Sequence, residues 1–154
     1  MVDYVIGHWT AGNYTPCTID KNSYQLLIDG DSATHEGKPV GAAASCGGMN
    51  SITYNIACCG GLARTPLKKA QCERFFKECA KALKKYNLPV RNFYTHAEIG
   101  QMVKDETITK LLPYNKYLRQ NVGKVDLTKI PYDTGSKSNG DFIRNKIQWY
   151  MDRL

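Results

Sequence analysis

The chain contains three histidines, and two of them follow runs that read as β-strands: His8 closes VDYVIGH and His96 closes RNFYTH. A strand end delivers a side chain from a buried sheet to a surface cleft, with rigid backbone behind it. Imidazole is a common nitrogen ligand of zinc, and a catalytic zinc site takes three protein ligands and keeps one position for water. A carboxylate is a natural third donor, and Asp126 in GKVDL, Glu98 and Asp105 are the candidates. The plainer alternative is two unrelated, hydrogen-bonded histidines. His35, beside Glu36 in an expected hairpin, reads as a surface residue. The six cysteines, at 17, 46, 58, 59, 72 and 79, include no C-x-x-C pair of zinc-finger or redox type. They read as free, buried, small apolar side chains.

The elements that must position these groups follow from the patterning. Residues 2–9 are β-branched and aromatic and run into Thr10-Ala11-Gly12, which predicts a buried strand and a turn. Residues 14–22 read as a loop, 23–29 as a second strand stopped by Gly30-Asp31, and 34–40 as a short third strand around Gly37-Lys38-Pro39. Residues 41–50 are small and loop-like, and 51–59 form another strand ended by Gly60-Gly61. A helix is predicted to start at Thr65-Pro66, since Thr caps well and Pro suits the first helical position. Its Leu67, Cys72, Phe75, Phe76, Cys79, Leu83 and Tyr86 recur at helical spacing with lysines opposite, up to Asn87 and Pro89. Residues 91–95 read as a short strand. Between 108 and 120 a helical period is broken by Pro113. Ser138, with Asp141 three residues on, has the spacing of a capping box and opens a final helix over 138–154. Strands alternating with helices predict an α/β fold, one domain spanning 1–154, with a central mixed β-sheet flanked by helices.

Composition narrows the function classes. The 154 residues are 42% hydrophobic and 23% charged, ordinary for a globular domain and unlike disordered or collagen-like chains. No apolar run approaches the roughly 18 residues that span a bilayer. The first Lys is Lys21, so no basic n-region of a signal peptide is expected. The net charge of +7 is uneven: residues 1–63 hold two Lys against five Asp/Glu, and residues 64–154 hold nineteen Lys/Arg against nine acids. A basic half suits an anionic surface or polymer. No aromatic-basic recognition motif occurs, so a nucleic-acid partner is not expected.

Five strings occur in order: IGHWTAG at 6–12, SYQLLIDGD at 23–31, GMNSITYNIACCGG at 48–61, THAEIG at 95–100 and GKVDLTKIPY at 123–132. Together they resemble the zinc-dependent N-acetylmuramoyl-L-alanine amidases of the amidase-2 and peptidoglycan-recognition-protein superfamily, in the flavour of bacteriophage and prophage endolysins. The resemblance covers residues 2–132; H-x-T-A-G is fairly specific, K-x-D alone is weak, and the ordered set is strong. It implies Zn2+ held by His8, His96 and Asp126. It further implies that Lys124 polarises the substrate carbonyl and that Tyr24 assists the attacking water or the oxyanion. The reaction implied is hydrolysis of the amide between N-acetylmuramic acid and the L-alanine of the stem peptide. The implied partner is peptidoglycan, the implied state a monomer, and the implied setting the host cytoplasm before release onto the cell wall. A non-catalytic peptidoglycan-recognition module is the alternative.

Two departures stand out. Asn55 occupies the place where many members carry a catalytic Glu, and asparagine is no general base, which shifts the burden to Tyr24 and Lys124. His96 and Asp126 are thirty residues apart where about ten is usual, so 101–121 reads as an insertion over the cleft. Asp105 keeps the usual distance and is the second choice of ligand. Glu98 reads as a group that orients a ligand or its loop.

Overall fold

The computed structural model describes residues 1–154. Its elements are β1 Tyr4–Trp9, α1 Thr18–Ser23, β2 Leu26–Ile28, β3 Thr34–Glu36, β4 Thr53–Cys58, α2 Lys69–Lys85, β5 Phe93–Thr95, α3 His96–Lys104 and α4 Asn139–Met151. The five strands form one sheet in the order β3-β2-β4-β1-β5. β2, β4, β1 and β5 run parallel, and β3 returns antiparallel on the edge, giving the mixed sheet expected from the sequence.

Alternation along β1 divides the molecule. Val5 packs into a core with Ile56, Phe75, Phe76, Leu83, Phe93, Ile143 and Ile147, between the sheet and α2 and α4. Its neighbour Ile6 packs on the opposite face with Met49, Ile99, Val103, Ile108 and Leu118. Successive strand side chains point to opposite faces. His8, two residues after Ile6, therefore points to the second face. Burial of each large apolar side chain contributes about 1.5–3 kcal/mol, which makes these two layers the main force holding β1 in place. Gly7 is required between them: a Cβ there would meet Phe93 Cζ at 2.7 Å and Phe75 Cζ at 2.9 Å.

Several elements differ from the sequence reading for local reasons. The expected loop 14–22 gives way at Thr18 to the short helix α1, capped at its start by Asp20 Oδ2 accepting from the Cys17 N–H at 3.0 Å. Helix α2 starts four residues after Thr65, whose hydroxyl donates to the Gly12 carbonyl at 2.7 Å and receives no helix N–H. Gln71 Oε1 accepts from the Lys68 N–H instead, while its amide nitrogen donates to the Ile28 and Cys59 carbonyls, tying the helix to the sheet. The second strand shrinks to three residues and the fourth begins at Thr53, after a 3-10 turn Asn50–Ile52. Ser138 caps α4 as expected, its Oγ accepting from the Asp141 N–H.

Residues 101–121, read as an insertion over the cleft, are built into the second core. Past α3 the chain makes two 3-10 segments, Ile108–Lys110 and Lys116–Asn121, with Pro113 between them, and Ile108 and Leu118 are fully buried. Gly100 permits this packing, since a Cβ there would strike the Asn121 carbonyl. All six cysteines are free; five are buried and Cys17 is exposed. No helix is long and apolar enough to cross a membrane.

Candidate metal centre

Three buried side chains from three parts of the chain meet at the C-terminal edge of the parallel strands. His8 comes from β1, next to Ala57 of β4 in the parallel register. His96 is the first residue of α3 rather than the last of a strand: Thr95 Oγ1 accepts from the Glu98 N–H, and Glu98 Oε1 accepts from the Thr95 N–H. This reciprocal cap turns the chain sharply and aims His96 back over the sheet. Asp126 comes from the loop before α4, and its Oδ2 accepts from the Trp9 N–H at 3.2 Å. Leu127 follows in a left-handed conformation, φ 63°, buried against Gly7, with its carbonyl accepting from Asn139 Nδ2.

The donor atoms of His8, His96 and Asp126 all lie within 4.8 Å of one another. His8 Nδ1 is 3.5 Å from Asp126 Oδ2, and His96 Nδ1 is 3.5 Å from Asp126 Oδ1. Two donors about 2.0–2.1 Å from a tetrahedral ion stand roughly 3.4 Å apart, so these spacings suit a small divalent cation. His8 Nδ1 is fully buried and has no hydrogen-bond partner, standing 3.5 Å from Asp126 Oδ2. An unpartnered buried ring nitrogen beside a carboxylate and a second imidazole costs stability without an ion and has a clear use with one. The two Nε2 atoms are each bound from behind, by Asn55 Oδ1 at 2.8 Å and Asn121 Oδ1 at 2.7 Å. Such outer partners orient metal-binding histidines.

Burial lowers the pKa of His8, with Asp126 opposing and His96 reinforcing the shift. Burial acts to raise the Asp126 carboxyl, but the two facing imidazoles outweigh it and hold it well below the carboxylate range. For both groups the unfolded chain binds a proton that the native state does not, so stability rises with pH. The metal-free protein is therefore expected to melt at lower temperature as pH falls from 7 to 5, first through His8. The loss should continue below about pH 4 through Asp126, with a slope of up to about 1.4 kcal/mol per pH unit for each group. Thermal denaturation in chelator across that range checks it; a flat profile between pH 7 and 5 would mean His8 is not held neutral.

His96 and Asp126 line a cleft of about 330 Å³ together with Trp9, Tyr24, Ser45 and Lys124, among others, while His8 lies fully buried behind them. The Tyr24 ring centroid is 5.0 Å from that of His8, and the hydroxyl lies 3.5 Å from the Trp9 carbonyl. Burial, then Asp126, pushes the Tyr24 pKa up, so its phenol stays protonated. Lys124 stands exposed on the rim. Roomier surface depressions of about 610 and 640 Å³ hold no histidine.

The remaining candidates lie elsewhere. Asp105 is exposed at the end of α3 and accepts from Gln101 Nε2. Glu98 is taken by the α3 cap and by a two-pronged ion pair with Arg144 of α4, at 2.8 Å on both arms. His35 is half-buried, bonded to Asp29 Oδ2 at 2.8 Å across the edge hairpin. Asn55 lies behind His8 as part of its support. Asn121 and Gln25 are the site residues that sequence reasoning missed. The Thr95-x-x-Glu98 cap was readable from the sequence, but nothing there marks Asn121.

Residues 1–109 match the N-acetylmuramoyl-L-alanine amidase family, Amidase_2. A search of curated proteins found no significant match. Among solved structures, the chain is similar to Staphylococcus aureus hydrolase AmiA in complex with its ligand, at TM-score 0.60 and 15% identity over 97% of this chain and 73% of that one. It is also similar to the N-acetylmuramoyl-L-alanine amidase LysC from Clostridium intestinale, at TM-score 0.55 and 18% identity over 71% and 85%. The Ph2119 endolysin from a Thermus scotoductus bacteriophage aligns at TM-score 0.55 and 12% identity over 94% and 84%. These likenesses concern the fold. Lys124 and Asp126 lie beyond the span of the family match, so their place at the site rests on geometry. With residues 1–109 of its 154 matched, the chain belongs to the N-acetylmuramoyl-L-alanine amidase family.

Proposed function

We propose that the protein is a zinc-dependent peptidoglycan hydrolase that cleaves the amide joining N-acetylmuramic acid to the L-alanine of the stem peptide, and that it serves as an endolysin in phage or prophage lysis. The observation that carries this reading is the convergence of His8, His96 and Asp126 with His8 Nδ1 buried and unpartnered. Two imidazoles and one carboxylate are a donor set for catalytic zinc, which needs three protein ligands and an open position. The cysteines do not compete, since none belongs to the cluster. Endolysins among the similar structures support the lytic role.

Zinc bound there would supply Lewis acidity, bringing a water's pKa from 15.7 to about 7 and polarising the scissile carbonyl. The chain's own residues do the rest. The Trp9 N–H and the buried Leu127 fix the Asp126 carboxylate in place. Lys124 offers a cation from the rim to the oxyanion of the tetrahedral intermediate. Tyr24, kept protonated by burial, does not act as base; its hydroxyl, which donates to the Trp9 carbonyl at 3.5 Å, would turn to the substrate oxyanion as a donor. The open cleft faces solvent, as an insoluble polymeric substrate requires, and the basic second half of the chain favours encounter with an anionic wall.

Purified sacculi digested with and without a chelator test the proposal. The expected result is release of free L-alanine amino groups, lost with chelator and restored by zinc. Binding to sacculi without any amine release would support the recognition-module alternative.

A further inference from the structure

The hydrogen-bond partners behind the two histidines determine where each ring carries its proton. The Asn55 backbone N–H can only donate, and it donates to Gln25 Oε1 at 2.7 Å, which fixes the orientation of that amide. The same oxygen accepts from Asn55 Nδ2 at 2.9 Å, and Thr53 Oγ1 takes Nδ2 as well at 3.0 Å. Asn55 Oδ1 is therefore the atom that faces His8 Nε2. On the other side, Asn121 Nδ2 donates to two backbone carbonyls that can only accept, Gly47 O at 2.8 Å and Leu118 O at 3.0 Å. Asn121 Oδ1 is thereby turned to His96 Nε2. An amide oxygen has no proton to give, so each Nε2 must carry the hydrogen, and a neutral ring then leaves Nδ1 bare.

We infer that two buried amide relays, Gln25–Asn55 behind His8 and Asn121 behind His96, act as positioning groups that lock both imidazoles in the Nε2–H tautomer and keep their Nδ1 lone pairs free for a metal ion. The metal half of this inference rests on the zinc reading above. Asp126 makes the lock necessary, because its carboxylate faces both Nδ1 atoms at 3.5 Å and competes for the ring protons. Without the amides the protons would move to Nδ1, toward Asp126, and each ring would present an N–H where a lone pair is needed. The relay also gives 116–121 a role: the segment delivers Asn121 to the back of His96.

Long-range 1H–15N spectra of the histidine rings, recorded on metal-free protein in chelator at pH 8, read the tautomers directly. Wild type is expected to show Nε2–H on both His8 and His96. Asn55→Leu should shift only His8 toward Nδ1–H, and Asn121→Leu only His96. Each should weaken zinc binding about 10–100-fold in a competition titration. Gln25→Glu keeps an acceptor at Oε1 and should retain the wild-type tautomer, whereas Gln25→Leu should not. A wild-type spectrum with Nδ1–H on either ring overturns the inference, whether or not the variants fold. So does an Asn55→Leu protein with unchanged tautomer and unchanged zinc affinity, even though zinc still binds. The expected tautomers in a protein that fails to bind zinc would support the relay and overturn the zinc reading instead.

Discussion

Asp126→Ala is expected to abolish zinc retention through dialysis and to lower amine release from sacculi by roughly 10³-fold or more, the scale of losing a principal electrostatic element of an active centre. The carboxylate is the only acid that reaches the two Nδ1 atoms, so no neighbour replaces it. Its loss also leaves the buried Trp9 N–H without its acceptor, costing about 1–3 kcal/mol, so folding must be verified by circular dichroism alongside metal analysis. Asp105→Ala is the control and should retain metal and turnover, because Asp105 is exposed and engaged with Gln101. If Asp126→Ala keeps its zinc while Asp105→Ala loses it, the ligand set proposed here is misassigned.

That prediction depends on a residue the sequence marks only weakly. The strands bearing the site were readable: β-branched runs in 2–9 and 51–59 give β1 and β4, and period-two alternation puts His8 on one face. The helix faces of α2 and α4 were readable from apolar spacing, since packing against the sheet rewards it. What escaped is settled by single hydrogen bonds. Thr65 ties its loop to the Gly12 carbonyl while Gln71 accepts from the Lys68 N–H at the start of α2, and α1 has no buried residue to leave a periodic trace. Asp126 sits in a loop, where no period exists; only the resemblance of GKVDL pointed to it, and the left-handed Leu127 that anchors it carries no glycine to signal the turn. Asn121 is still less visible, because its use depends on the way 116–121 folds back on α3 at Gly100. Asn55 was legible as a departure from the expected Glu, yet its place behind His8, with Oδ1 facing Nε2 at 2.8 Å, was not.

Lys124→Ala should separate metal binding from chemistry. The side chain is exposed on the rim of the cleft and two residues from Asp126, so removing it opens no cavity and touches no ligand. Zinc content and melting temperature are expected to match wild type. Turnover on sacculi or a soluble muramyl peptide should fall about 10²–10³-fold, chiefly in kcat, because a charge aimed at the oxyanion acts more strongly on the transition state than on the neutral carbonyl. Tyr24→Phe should cost less, since a single neutral hydrogen bond is weaker than one made by a charged donor. A steady-state comparison of the two variants ranks the groups. Wild-type turnover in Lys124→Ala, with a large loss in Tyr24→Phe, would transfer oxyanion stabilisation to the phenol, whose burial-raised pKa keeps it a donor across the neutral range.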